Sequence, residues 1–309
     1  MLKRVLLFAL ITVILVVITP FVLFPFLAIN EPSGANVAVI EGWIPQEYVP
    51  ELVATVQANG YDQIYTTGTV RAANYYLKNG DTLDFNFEEP ISGLLQTNIA
   101  GLDGAICVEI ADNDTLLTVP ISADNVEYHA HMADPVHRLR IVSTNSGIVE
   151  GSISNMFIKH VLVAGKNIHE LHALSMIKHA DGTTEPGRPS HAETLVHYLA
   201  KGGLAPDVLT PLPTPTISGG RTWSNAVRFA EAARKDGVLQ ADVISMGVHA
   251  RRSRNAYQKA CGDSVIVGIV SIPDPLASRS NWWKHAYGWS KVWKEIFGVP
   301  GMEVVDLAD

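Results

Sequence analysis

The chain has 309 residues, 47% of them hydrophobic and 17% charged, which is typical of a globular protein with one large or two medium domains. Its formal net charge of -8 excludes general nucleic-acid binding, because the phosphate backbone attracts basic surfaces. Cys107 and Cys261 fall in different predicted domains and lack the spacing of a metal site, so neither a disulfide nor a cysteine-bound metal is expected.

The N-terminal segment is a predicted membrane anchor. Residues 5–29 are almost wholly apolar, and a helix needs about 20 such residues to cross a bilayer. Lys3 and Arg4 precede the run, which predicts a cytoplasmic N-terminus and an extracytoplasmic main domain. The interpretation is a single-pass membrane protein anchored by residues 1–30. A signal peptide cleaved near Ser33-Gly34-Ala35 is the alternative.

A strand, a helix and a strand follow the anchor. Asn36–Ile40 predicts the first strand, Val49–Ala58 a helix, and Gln63–Thr66 the second strand. Strand, helix and strand at this spacing form a βαβ unit, which implies a parallel sheet with right-handed crossovers.

From about Asn74 to Ile168 the pattern changes to short alternating segments separated by turn residues. The predicted strands are Thr82–Phe87, Ile106–Ile110, Thr115–Val119, Leu139–Val142 and Met156–Val163. Such a series predicts a β-sandwich. The predicted fold class is therefore α/β, with a discontinuous parallel-sheet domain at 36–73 and 169–309. The β-sandwich is inserted at 74–168, and one transmembrane helix precedes both.

Helical patterns resume at about His169. The predicted helices are Glu170–His179, Ser190–Ala200 with Ser190 and Glu193 as a capping box, Thr222–Arg234, and a Trp-rich segment from Asn281. The predicted strands between them are Val208–Thr210, Val243–Met246 and Val265–Val270. These alternating elements complete the parallel sheet.

One stretch of the second half has an unusual charge pattern. The strand Val243–Met246 is ended by Gly247, and a helix follows from His249. Arg251, Arg252 and Arg254 lie in its first turns, where cationic side chains oppose the helix dipole. An anionic ligand would explain them. Pairing with nearby acids on a solvated face is the alternative.

Five segments of the α/β part, in this order, resemble the YdcF, SanA and ElyC family of bacterial envelope proteins. They are Ile-Glu-Gly-Trp-Ile-Pro at 40–45, Gly-Tyr-Asp-Gln-Ile-Tyr-Thr-Thr-Gly at 60–68, Ser-His-Ala-Glu-Thr at 190–194, Arg-Thr-Trp-Ser-Asn-Ala at 221–226, and Ser-Met-Gly-Val-His-Ala-Arg-Arg-Ser-Arg at 245–254. The resemblance implies a Rossmann-like domain behind one membrane anchor and a role in cell-envelope integrity. The family has no settled reaction.

Two motifs of that family have counterparts in this chain. Thr222 and Asn225 match its Thr-x-x-Asn, and His249 and Arg252 match its Ser-x-x-x-His-x-x-Arg. The chain also departs from the family. Its first loop is Glu41-Gly42-Trp43 rather than glycine-rich. The loop Thr214-Pro215-Thr216-Ile217-Ser218 lacks the acid that usually precedes the Thr.

The insert has a second resemblance. Residues 75–87 and 155–165 are similar to the calcium-dependent xylan-binding carbohydrate-binding modules. Ser146 and Ser154 stand where that pattern has Asp, and calcium needs several oxygen ligands. The resemblance therefore implies the module's fold with its calcium site lost or altered. His129 and His131 share one strand face, as metal ligands can, but no carboxylate or Cys spacing supports them, and no metal site is predicted.

Ligands of open α/β sheets bind at the carboxyl ends of the strands. Glu41 and His249 are the candidate catalytic residues. Glu41 ends the first strand and is interpreted as a base or as a ligand of a ribose hydroxyl, and His249 as a general acid or base near neutral pH. The candidate binding residues are Thr67, Gly68, Arg221, Thr222, Asn225, Ser245 and Arg252. Helix capping by Thr222 and Ser245, and a His249 satisfied by backbone, are the alternatives. No cofactor is assigned.

Two functional interpretations follow. In the first, an anchored extracytoplasmic protein binds a small phosphorylated or nucleotide-like envelope metabolite, and whether it also acts on the ligand stays open. In the second, it is a non-catalytic envelope factor whose insert contacts glycan or protein. A glycosidase is disfavoured because no carboxylate pair is evident. A nicotinamide dehydrogenase is disfavoured because no G-x-G-x-x-G follows the first strand.

Overall fold

The computed structural model describes residues 21–102, 105–144, 156–171, 173–215 and 218–297. The chain divides into two compact units, Met1–Thr69 with His191–Asp309, and Val70–Ser190. The chain enters and leaves the second unit through paired backbones. Val70 and Ser190 form an antiparallel bridge, and the Arg71 N–H donates to the carbonyl oxygen of Pro189 at 3.0 Å.

The elements are numbered here in chain order. The strands are β1 (Val37–Glu41), β2 (Gln63–Thr69), β3 (Tyr75–Leu77), β4 (Thr82–Gly101), β5 (Ile106–Ala111), β6 (Asp114–Pro120), β7 (Val126–Thr144), β8 (Met156–Val163), β9 (Lys166–Asn167), β10 (Leu174–Lys178), β11 (Thr184–Pro186), β12 (Leu209–Thr214), β13 (Gln240–Met246) and β14 (Ile266–Ile272). The helices are α1 (Val49–Asn59), α2 (His191–Lys201), α3 (Arg221–Asp236), α4 (Ala250–Cys261) and α5 (Ala286–Phe297). Residues 21–27 are also helical.

The first unit contains a five-stranded parallel sheet, as the βαβ pattern predicts. Its strand order is β12-β2-β1-β13-β14. In the central register Ile40 lies opposite Thr66 on one side and Ile244 on the other. From β1 the chain adds β2 and then β12 on one side, and from β13 it adds β14 on the other side. The boundary between β1 and β13 is thus a topological switch point, and ligands of open α/β sheets bind at the carboxyl edge of such points.

Both faces of this sheet are buried, which explains why its strands are nearly continuous apolar runs. Val39 of β1 belongs to a core cluster with Phe229 of α3 and Tyr257 of α4. Its neighbour Ile40 points to the opposite face and belongs to a cluster that contains Leu52 of α1 and residues of α2. Helices therefore cover the sheet on both sides and bring their N-terminal ends to the same edge.

The second unit is an antiparallel sheet in which β4 and β7 are the longest strands. The nine strands belong to one hydrogen-bonded network, with β11-β10-β4-β7-β5-β6 as its main order and β3 and β9 attached through β8. The predicted short strands Thr82–Phe87 and Leu139–Val142 are the ends of these two long strands. Side chains from both halves of β4 share one core cluster, so the sheet folds around a single interior.

The predicted helix Glu170–His179 is wrong. After a short 3-10 turn, β10 pairs antiparallel with β4, placing Met176 opposite Asp84. Non-local pairing overrides the local helix propensity here, because the edge of β4 offers hydrogen-bond partners and Ile177 becomes buried. The α/β unit therefore resumes at His191, whereas the predicted boundary of the insert lay at 168.

Most of the predicted anchor lies outside the described residues. Within the described part of the chain, we find no helix that combines the length and apolar character needed to span a membrane. At the other end, the Trp-rich segment that was predicted to be helical from Asn281 forms a 3-10 turn at Trp282–Lys284, followed by α5.

Candidate functional site

Glu41 is the last residue of β1 and is fully buried at the switch point. Its Oε2 accepts hydrogen bonds from the hydroxyls of Ser245 at 2.6 Å and Ser253 at 2.7 Å. Its Oε1 is buried and has no hydrogen-bond partner. That atom lies 3.9 Å from Nε2 of His249. The central strand therefore presents one satisfied and one unsatisfied carboxylate oxygen, and the unsatisfied one lies beside an imidazole.

His249 ends a short 3-10 turn between β13 and α4, and Gly247 begins that turn with a φ of 54°. The imidazole Nδ1 lies 3.0 Å from Oε1 of Glu295 on α5, and Nε2 lies 3.3 Å from the Thr222 hydroxyl on α3. The Trp43 ring packs edge-on at 4.9 Å. Three separate segments of the unit thus contact one histidine ring.

The contacts of His249 indicate which ring nitrogen carries the hydrogen in the neutral imidazole. A carboxylate can only accept, so we assign the Nδ1–H to Glu295. Nη2 of Arg252 also lies 3.0 Å from Nδ1, but the guanidinium has only donors and therefore cannot accept the Nδ1–H. Nε of Arg252 pairs with Oε2 of Glu295 at 3.0 Å. In the neutral ring this leaves the Nε2 lone pair facing Thr222. When Nε2 is protonated, Oε1 of Glu41 is the nearby carboxylate oxygen, at 3.9 Å.

Glu295 is negatively charged at neutral pH. Burial raises the pKa of its carboxyl group, but the hydrogen bond from His249 and the charges of His249, Arg252 and Lys294 outweigh burial, so the pKa is lowered from its ordinary value. The Glu295 carboxylate therefore orients the His249 ring through Nδ1, as the acid of a catalytic triad does.

Positive charge gathers beside this group. Burial, together with the charges of Lys291, Arg252 and Arg221, lowers the pKa of Lys294, and Glu295 only partly offsets these effects. Arg221 is exposed and is the first residue of α3. The N-terminal end of a helix itself attracts anions. Cationic side chains and a helix N-terminal end therefore lie close together beside Glu295.

The other two arginines of the charge cluster face the N-terminal segment. Arg254 pairs with Glu31 at 2.7 Å. Arg251 donates to the carbonyl oxygen of Phe26 and lies over that residue's ring, 4.1 Å from the centroid. The acid-pairing interpretation is therefore correct for Arg254, which pairs with Glu31, and for Arg252, which pairs with Glu295. Of the three arginines, only Arg252 also reaches the histidine.

Two predicted binding residues at the end of β2 serve packing. The Thr67 hydroxyl lies 2.8 Å from the Tyr257 hydroxyl, in an environment where burial raises the pKa of Tyr257. Gly68 lies against the start of α2, and a Cβ at Gly68 would be 2.6 Å from the backbone nitrogen of Ala192. The structure thus places Thr67 and Gly68 in close contacts inside the protein.

Asn225 follows Thr222 by three residues on α3 and is buried. Its side-chain oxygen Oδ1 has no hydrogen-bond partner. Leaving such a buried acceptor unpaired costs about 1–3 kcal/mol. A second unsatisfied polar atom therefore lies on the helix that carries Thr222 and Arg221.

No family model matches the chain. No curated protein matches it either.

Sequence reasoning missed Ser253, Glu295 and Trp43 as site residues. Ser253 follows His249 by four residues, so one turn of α4 brings both toward Glu41. Glu295 is the only acid between residues 276 and 297. A lone carboxylate in a helix rich in Trp and Lys was the signal that could have found it.

The insert holds the other predicted ligands. The suggested calcium positions Ser146 and Ser154 lie outside the described residues. His129 pairs with Glu127 at 3.0 Å, and His160 lies 3.6 Å from the same carboxylate. Among the described residues, His, Cys, Asp and Glu form no group of three or more arranged to hold a metal ion.

Proposed function

We propose that this chain is an extracytoplasmic, membrane-anchored protein of the cell envelope that binds a phosphorylated or nucleotide-like small molecule and acts on it by acid–base chemistry. The strand order supports a Rossmann-like interpretation of the α/β unit. The envelope role rests on the resemblance to the YdcF, SanA and ElyC proteins. The observation that carries the proposal is the buried, unpaired Glu41 oxygen 3.9 Å from His249.

The proposed chemistry uses His249 as the general base. Glu295 holds Nδ1, which leaves Nε2 to take a proton from a hydroxyl or water bound near Thr222. The imidazolium that forms is then stabilised by Glu41 on one side and Glu295 on the other. Arg221 and Lys294 bind the anionic part of the ligand, which keeps it at the mouth of the crevice and away from the buried Glu41.

A ligand screen by thermal shift tests the proposal. Full-length protein in detergent is mixed with phosphosugars, nucleotides, polyprenyl phosphate analogues and S-adenosylmethionine. A ligand at 100 times its dissociation constant stabilises the fold by about 2.7 kcal/mol. We expect a phosphorylated ligand to stabilise the wild type, and Arg221→Ala to lose that response.

Arg228→Ala is the matched control, because Arg228 lies on the same helix but pairs at the surface with Glu231. It should respond as the wild type does. Glu41→Gln should bind the ligand and fail to convert it. If no anionic ligand stabilises the wild type, or if Arg221→Ala responds equally, the proposal is wrong.

A second candidate function rests on the insert. Tyr76 is exposed and stacks on Phe157 with ring centroids 4.7 Å apart. The two residues are register partners on β3 and β8, so they form a flat aromatic platform. Such a surface fits the face of a sugar ring, which supports the alternative of a non-catalytic envelope factor that binds glycan through its insert.

Binding of xylan oligosaccharides, with and without calcium, distinguishes the two functions. If the insert carries the function, Tyr76→Ala should abolish glycan binding and Arg221→Ala should leave it unchanged. Glycan binding by the wild type that survives Tyr76→Ala would exclude this platform as the glycan site.

A further inference from the structure

Helix α5 has two faces of different character. Gly288 and Val292 are buried, and Glu295 reaches the candidate site from that side. Trp289, Trp293 and Phe297 recur every four residues and stack in a row, with centroids 6.1 Å and 5.2 Å apart. At 3.6 residues per turn, the side chains of Trp293 and Glu295 lie roughly 160° apart. One helix therefore presents a carboxylate to the site and an aromatic row away from it.

The helical residues 21–27 pack beside this segment. Phe24 and Leu27 share a core cluster with Trp282 and Val292, and the rings of Phe21 and Trp283 are 5.5 Å apart. Seven of the thirteen exposed large hydrophobic side chains among the described residues belong to these two segments and the loop before α5. They are Phe21, Val22, Phe26, Leu276, Trp293, Ile296 and Phe297. This set is named the aromatic patch. An apolar concentration of this kind on a folded unit indicates an interaction surface.

Cationic side chains accompany the aromatic patch. Four basic residues lie between positions 276 and 297. Lys294 lies beside Glu295 at the candidate site, and the other three are Arg279, Lys284 and Lys291. The one acid of that stretch, Glu295, is turned inward. The Lys291 ammonium lies 5.0 Å from the centroid of the Tyr287 ring, and Arg251 covers Phe26. Tryptophan and phenylalanine beside lysine and arginine are the side chains that bind at the surface of an anionic bilayer.

The position of the patch in the chain favours a bilayer over a second copy or a soluble partner. Residues 5–20 contain no charged side chain and run directly into the helical residues 21–27. A surface that begins at the end of such an apolar segment is held close to lipid. A protein partner would leave the cationic residues around the patch without a shared explanation.

We propose that α5 and residues 21–27 form a lipid-docking surface that lies in the headgroup region of an anionic bilayer. The surface rests on the membrane anchoring proposed above and is independent of the ligand-binding part of that proposal. Trp293 and Glu295 both belong to α5. Docking on the bilayer therefore fixes the position of the helix whose Glu295 contacts His249. The crevice then lies about one helix diameter, roughly 10 Å, from the headgroups.

Tryptophan quenching by brominated lipids tests this surface in the full-length chain. The protein is reconstituted in anionic nanodiscs whose lipids carry bromine either near the headgroup or near the end of the acyl chain. We expect the wild type to be quenched more strongly by the shallow bromines, and Trp293→Phe to lose a large part of that quenching. Trp223→Phe is the matched control, because Trp223 lies on α3, where Lys259 covers its ring. It should leave the shallow quenching unchanged.

Equal thermal unfolding temperatures of the two variants establish that both are folded. Shallow quenching that is unchanged in Trp293→Phe would show that the aromatic patch does not contact lipid and would overturn the proposal. Quenching by the deep bromines alone would also overturn it, because the helix would then lie below the headgroups. Cross-linking between copies of a Phe297→Cys variant would assign the patch to a second chain instead.

Discussion

Glu295 accepts a hydrogen bond from His249 at 3.0 Å, although the two residues are 46 positions apart in the chain. The contact joins the last described helix to the loop after β13. It also gives the histidine an orienting carboxylate that no local motif contains. The C-terminal helix is therefore part of the candidate site, and several tests follow from that.

Replacing Glu295 should change the acid stability of the protein. Its folded-state pKa is lowered, so the carboxylate contributes stability above its ordinary pKa of 4.5, and that contribution is lost as the pH falls through the lower folded-state value. We expect Glu295→Gln to reduce the free energy of unfolding by about 1–3 kcal/mol at pH 7. The difference from the wild type should shrink in acid. Urea unfolding across pH measures it.

Glu231→Gln is the control for this experiment, because Glu231 pairs with Arg228 on the surface. Exposed pairs contribute about 0–1 kcal/mol. A Glu295→Gln deficit that stays constant from pH 7 down to pH 3 would contradict a carboxylate stabilised by His249 and Arg252.

Removing the Ser253 hydroxyl should destabilise the first unit. Ser253 donates one of the two hydrogen bonds that Oε2 of Glu41 accepts, and Glu41 is fully buried. We expect Ser253→Ala to reduce the free energy of unfolding by about 1–3 kcal/mol, because the buried carboxylate loses a donor. Ser280→Ala is the comparison, since Ser280 is exposed, and its effect should stay within about 0.5 kcal/mol. Equal effects of the two variants would show that Glu41 does not need this donor.

The insert should become less stable as the pH rises. Burial raises the pKa of Glu109 to about 7, although the Thr97 hydroxyl donates to Oε1 at 2.5 Å and opposes the shift. Oε2 has no hydrogen-bond partner. The protonated form therefore stabilises the fold below pH 4.5, and this stability is lost as the pH rises through 7. One pKa unit corresponds to about 1.4 kcal/mol, so the expected loss is about 3 kcal/mol.

Glu109→Gln removes this titration and should flatten the decline between pH 5 and pH 8. Hydrogen exchange of the β4 and β5 amides reports it locally. Glu127→Gln, at a half-exposed carboxylate of the same unit, should retain the wild-type slope. A wild-type slope in Glu109→Gln would assign the pH dependence to another group.

Gly68 should not tolerate a side chain. A Cβ there would meet the backbone nitrogen of Ala192 at 2.6 Å, and backbone cannot move aside as a flexible side chain can. Overpacking of this kind costs about 1–3 kcal/mol. Gly60→Ala is the useful comparison, because the space around Gly60 is open and only its φ of 66° opposes alanine. Thermal unfolding should show the larger loss for Gly68→Ala.

The parallel sheet was predictable because its signals are local. The helix predicted at Val49–Ala58 is Val49–Asn59 in the structure, and the strand predicted at Val243–Met246 lies inside β13. Apolar periodicity and a terminal glycine determine both. The β10 strand was not predictable, because its conformation depends on an edge of β4 that lies about 90 residues earlier in the chain.

Part of the candidate site could be predicted from the sequence. Glu41, Ser245, His249, Thr222 and Arg252 all come together, because each lies at the end of a parallel strand or near the start of the helix that follows one. The geometry adds Ser253 and Glu295. Hydrogen bonding between a residue of α5 and the end of β13 depends on how the last helix packs, and no spacing rule connects positions 249 and 295.

The bridge between Val70 and Ser190 brings the two ends of the second unit together. Its two connections are already side by side, so deletion of the intervening chain needs only a short turn to rejoin β2 to α2. The same two positions offer a point where recombination would exchange one inserted unit for another while each strand of the parallel sheet kept its neighbours.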